Sequence, residues 1–106
     1  MNTFVSIAEC SRFNAAKLAK NNLFTTERMF CDVYCLLPGQ AQAPHAHAGS
    51  DKIYVILEGE ARLEVAGVAR TLGPHEAALC ASGVVHGISN VSSAPAKVLV
   101  FMTPKP

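Results

Sequence analysis

Of the four histidines in this chain, at 45, 47, 75 and 86, the first two are separated by a single residue. On a strand, a period of two sends both imidazoles to the same face. Neutral imidazole binds Zn, Fe, Ni or Cu at about 2.0–2.2 Å, so two rings one pleat apart can occupy adjacent positions on one cation. The same HxH also suits two solvated loop histidines following Pro44. His75, flanked by Pro74 and Glu76, reads as a surface turn residue. Downstream of the pair, Lys52, Tyr54, Ile56 and Glu58 share one strand face, and Asp51, Ile53, Val55 and Leu57 the other. Both faces carry enough apolar groups to be covered.

The elements that position these residues are predominantly strands. From Glu27 onward, short β-branched, aromatic and aliphatic runs are cut by Gly and Pro, which predicts an all-β sandwich or barrel. The first run alternates Met29, Cys31, Val33, Cys35 and Leu37 with Arg28, Phe30, Asp32, Tyr34 and Leu36. That gives one wholly apolar face and places Asp32 and Tyr34 on a polar side, toward solvent or a partner. Further runs follow at 42–47, 52–58, 61–65, 68–72, 76–80, 84–89 and 97–102, eight in all, with Ala66-Gly67 as a short hairpin link. Eight antiparallel strands without a long helix can close as a jelly roll. One helix is expected, over Arg12–Asn21 after the N-cap candidate Ser11. The expected division is a 1–26 N-terminal extension and a 27–106 barrel.

At 106 residues and 11.2 kDa, there is room for one domain, with roughly 16,000 Å² exposed in the open chain and roughly 6,000 Å² when folded. Half the residues are hydrophobic and 16% are charged, the reverse of a disordered composition. A net charge of +1 without a basic run argues against nucleic acid. No apolar stretch approaches the roughly 20 residues of a membrane span, and the expectation is a cytoplasmic protein. The cysteines at 10, 31, 35 and 80 form no CxxC pair and read as free buried thiols.

The stretch from Gly39 to Gly59, GQAQAPHAHAGSDKIYVILEG, resembles the first motif of the cupin family, and His75 to Asn90, HEAALCASGVVHGISN, resembles the second. The resemblance covers about Leu36 to Met102. It implies a jelly-roll barrel in which His45, His47 and His86 converge on one divalent metal (Fe, Mn, Zn or Ni) at the barrel mouth. The family's glutamate position falls on Lys52, leaving Asp51, one residue earlier, as the candidate fourth ligand. His75 and Ala81 stand where the second motif has Gly and Pro. Gly59 and Gly83 match turn positions that admit positive φ.

Two readings of the cavity follow. In one, three imidazoles hold a metal that keeps its full +2 charge and favours a small anionic ligand, with dioxygenase- or isomerase-type chemistry within the family's range. In the other, Lys52 points into the barrel, its ammonium excludes a metal, and His45, His47, His86 and Lys52 bind a sugar or organic acid without one. Tyr54 either packs in the core or lines the cavity beside the site. An enzyme and a binding or sensing module both remain open. Family members often pair as dimers, and Phe24 and Phe30 suit that arrangement.

Overall fold

Alternating apolar side chains, stopped by Gly and Pro, become strands close to where the pattern sets them. The structure, a computed structural model, describes residues 3–106, so the first two residues of the expected 1–26 extension lie outside the described residues. It contains α1 (Ile7–Cys10), β1 (Ala19–Thr25), β2 (Phe30–Leu36), β3 (Ala41–His45), β4 (Asp51–Glu58), β5 (Ala61–Val65), β6 (Val68–Leu72), β7 (Ala77–Cys80), β8 (His86–Ser89) and β9 (Ala96–Thr103). A five-stranded sheet in the order β1-β2-β9-β4-β7 faces a four-stranded sheet in the order β3-β8-β5-β6, with antiparallel pairing throughout. This is the all-β jelly roll that the punctuation predicts. The folded chain exposes 5993 Å², matching the roughly 6,000 Å² expected from its mass. At the β5–β6 hairpin, Ala66 and Gly67 take φ of 52° and 81°, the double left-handed geometry of a type I′ turn.

The helix expected over Arg12–Asn21 is corrected. The helix present is α1, whose N-cap Ser6 accepts a hydrogen bond from the Glu9 N–H, and Ser11 closes its C-terminal end instead of starting a new one. The alanines at 15, 16 and 19 supply propensity alone, and a helix of about ten residues is marginal without tertiary packing. Pairing with β2 wins. β1, which falls within the stretch set apart as an extension, runs antiparallel along β2 from Ala19↔Cys35 to Thr25↔Phe30. Asn21 Nδ2 reinforces it by donating to the carbonyls of Arg12 and Val33.

The orientation of β2 is the second correction. Its apolar face, with Cys31, Val33 and Cys35, points out of the barrel and joins Leu23 in a cluster covered by Val5, Ile7 and Cys10 of the N-terminal segment. Tyr34 and Leu36 instead enter the core between the sheets with Tyr54, Ile56, Leu63, Ile88, Val98 and Val100. Alternation puts Asp32 on that inner side as well, and it is buried there. The more polar face is therefore the interior one, because an N-terminal strap removes the apolar face from water. Each fully buried Leu or Ile of this core contributes roughly 1.5–3 kcal/mol.

Gly59, between β4 and β5, has φ of 71°, and a Cβ there would collide with the Pro95 carbonyl oxygen. Gly67 has φ of 81° and nothing within 4 Å of the Cβ position. Gly67→Ala should therefore lose only the left-handed penalty of about 1–2 kcal/mol, whereas Gly59→Ala should lose more than about 2 kcal/mol. Urea unfolding measures both, and equal losses would contradict the role assigned to the Pro95 contact.

Candidate metal centre

His45 ends β3 and pairs directly with His86 at the start of β8. Between Gln42 and His45 the register shifts, so three steps along β3 match two along β8, from Ile88 to His86. Such a bulge changes strand parity, and as a result both Gln42 and His45 face inward. The bulge fits because Gly87 lies beneath it: a Cβ on Gly87 would sit 3.0 Å from the Gln42 carbonyl oxygen and 3.1 Å from the Pro44 nitrogen. His47, expected on the same strand as His45, lies just beyond the end of β3. Its carbonyl accepts from the Gly83 N–H at 2.9 Å, which ties it to the turn before His86.

The three imidazoles converge. Ring centroids are 4.5 Å apart for His45 and His86, 4.7 Å for His45 and His47, and 5.9 Å for His47 and His86. One nitrogen from each ring lies within 4.8 Å of the others. His45 Nδ1 is 3.0 Å from the Ala43 carbonyl oxygen, and His86 Nδ1 is 2.9 Å from that of Val84. A carbonyl only accepts, so each Nδ1 carries a proton, and in the neutral ring Nε2 then presents a lone pair. Both Nε2 atoms are buried without a partner. Burial holds His86 below the ordinary histidine pKa against the opposing pull of the Val84 carbonyl, and Lys52, His45 and His47 lower it further. For His47 burial again comes first, then His45, Lys52 and Lys20. Neutral rings with free Nε2 atoms are the form a metal requires.

Across the interior, Lys52 and Tyr54 project from β4 toward this group. Lys52 is 2% exposed, and its Nζ lies 5.1 Å from the Tyr54 ring centroid and 5.4 Å from that of Tyr34. Tyr54 is fully buried, its ring 6.1 Å from that of His86, and its hydroxyl has no partner. Burial, followed by the charge of Lys20, pushes the Lys52 pKa down to about 8. Burial pushes the Tyr54 phenol well up, so it remains a donor.

The cupin domain family matches residues 32–102. This chain belongs to the cupin family. No curated protein matches it. Among solved structures, the TT1209 protein of Thermus thermophilus is 44% identical with a TM-score of 0.94, covering 97% of this chain and 98% of that one. A predicted oxalate decarboxylase of Thermotoga maritima is 22% identical with a TM-score of 0.78, over 83% of this chain and 81% of that one. A cupin-superfamily sugar phosphate isomerase of Silicibacter pomeroyi is 23% identical with a TM-score of 0.78, over 86% of this chain and 62% of that one. At these last two identities the likeness is one of fold.

In this cupin Asp51 lies outside the histidine group. Strand alternation turns it to the face opposite Lys52 and Tyr54, where its Oδ1 accepts from the Ser82 N–H at 2.9 Å. Ser82 Oγ in turn accepts from the Gly49 N–H at 2.7 Å. Asp51 thus ties the segment carrying His47 to the turn before His86. His75 stays in an exposed turn at φ of 70°, its N–H donating to the Ile56 carbonyl. Cys80 is buried in the core, and burial raises its thiol pKa, so it stays protonated. Sequence reasoning missed Gly87, whose need arises from a bulge on another strand, and Lys20, hidden by the expected helix.

Lys52 generates a pH signature. Its folded pKa, about 8, lies below its ordinary value, so between about pH 8 and 10.4 the unfolded chain holds more protons and stability rises with pH. Lys52→Met should therefore be more stable than wild type at pH 7, with the gap narrowing as pH rises through that window. Thermal melts across pH 7–10 read this, and a constant gap would contradict the buried placement of the ammonium. For Gly87→Ala, the Gln42–Pro44 segment must shift by a few tenths of an ångström, and the expected loss is about 1–3 kcal/mol in chemical unfolding.

Proposed function

We propose that this cupin holds one divalent metal on His45, His47 and His86 and binds a small anionic organic molecule there. The observation that carries the proposal is the pair of buried, unpartnered Nε2 atoms of His45 and His86, each aimed by an Nδ1–H held on a backbone carbonyl. Such outer hydrogen bonds fix tautomer and ring direction in metal sites. An Fe, Mn, Zn or Ni ion bound there would supply a Lewis-acid centre with positions left for water and ligand.

The remaining residues favour an anion. No carboxylate belongs to the histidine group among the described residues, so the donor set leaves the charge of a divalent ion intact. Lys52 and Lys20 add positive charge from the facing sheet. A carboxylate, enolate or diketonate suits that field better than a neutral ligand.

The inward, buried ammonium of Lys52 favours a second reading, in which the site binds an organic acid without metal. Elemental mass spectrometry on untagged protein separates the two. The first expects close to one divalent metal per chain in wild type and loss of it in His47→Ala. The second expects none in wild type and a gain in Lys52→Glu. Because Asp51 acts through the loops, Asp51→Ala should keep the metal but bind it up to roughly tenfold more weakly in chelator competition. A complete loss of metal in that variant would mean that Asp51 is itself a ligand.

A further inference from the structure

The geometry points to a second anion-recognition subsite inside the barrel, formed by Lys52 Nζ and Tyr54 Oη and backed by Lys20, so that the ligand is a small diacid with one acidic group for the metal and the other for Lys52. The assignment of the first group rests on the metal reading; the second stands on residues of the opposite sheet.

Lys52 is 2% exposed, yet the one ion pair within 4 Å among the described residues is elsewhere, between Lys97 and Glu58. The carboxylate on its own sheet face, Asp32, makes no ion pair with it within 4 Å and accepts from Asn22 Nδ2 at 2.8 Å; burial raises its pKa, while Asn22, Lys20 and Lys52 pull it back. What surrounds the ammonium is aromatic: the rings of Tyr34 and Tyr54, 6.3 Å apart and close to perpendicular. Ring faces accept a cation without cancelling its charge, which leaves it available to a ligand. Tyr54 Oη, fully buried and unpartnered, supplies a donor on the same side. Lys20 Nζ lies 5.4 Å from the Tyr34 ring centroid and, with Lys17 and Gln42, lines the groove between β1 and β3. A groove with two lysines raises the local concentration of an approaching anion. A lysine kept only for packing would be replaceable by methionine without effect on any ligand.

The probes are oxalate, malonate and succinate, each beside its monoamide, titrated into ¹⁵N-labelled protein and read by amide chemical shifts. Wild type should prefer at least one diacid over its monoamide by about tenfold or more, as expected for a charge-assisted contact. Lys52→Met and Lys52→Gln should reduce that preference to near equality, Lys52→Arg should retain part of it, and Tyr54→Phe should weaken diacid binding several-fold. Metal content is measured on each sample, and every titration is repeated after chelator treatment. If wild type holds no metal, the metal reading fails, but the diacid preference must still appear and still vanish in Lys52→Met. The subsite is overturned if no diacid is preferred by wild type, or if the preference survives in both Lys52→Met and Lys52→Gln.

Discussion

The site depends on one cross-strand pair, His45 against His86, and on the backbone carbonyls that take their Nδ1 protons. Backbone geometry directs these two rings, with no neighbouring carboxylate among their hydrogen-bond partners. That makes the direction of each Nε2 a property of the fold. The bulge in β3 turns His45 inward, Gly87 admits the bulge, and the Gly83–His47 hydrogen bond sets the third ring beside them. The Asp51–Ser82–Gly49 chain then closes the outer side of the same corner.

The second dependence is the inversion of β2. A half-polar barrel interior is useful only if the apolar outer face finds other cover, and the segment from Val5 to Cys10 provides it. Asp32, Tyr34, Lys52 and Tyr54 can then occupy an interior that would otherwise fill with aliphatic side chains. The same arrangement requires β1, because Lys20 reaches the Tyr34 ring only from a strand aligned with β2. The N-terminal residues thus support both sides of the five-stranded sheet.

Most of the fold was legible from period-two alternation bounded by Gly and Pro, and β5 and β6 end where their runs end. β1 was not legible, since the Ala-rich stretch before it satisfies helical propensity and its pairing partner lies about ten residues away. The three histidines were found through the HxH spacing and the resemblance of the two motifs. The side of β4 on which Asp51 lies was not legible, because nothing local reveals which face of a doubly covered strand is inside. Orientation is set by which face the N-terminal strap covers, and that is a long-range fact. Tyr34 and Asp32 were turned the wrong way for the same reason.

Lysine at the position where the cupin motif has glutamate changes the charge balance of the centre. A glutamate would halve the charge of a divalent metal and complete its donor set, whereas Lys52 adds positive charge on the same side. Two cations facing one desolvated interior repel strongly in the absence of a counter-ion. Burial and Lys20 have already moved Lys52 toward its neutral form before any metal is considered, and a metal on the histidines would move it further. A ligand with two acidic groups removes the conflict, because one group offsets the metal and the other restores the ammonium. With a metal on the histidines, metal, lysine and diacid would be mutually supporting, and taking away any one would weaken the hold on the other two.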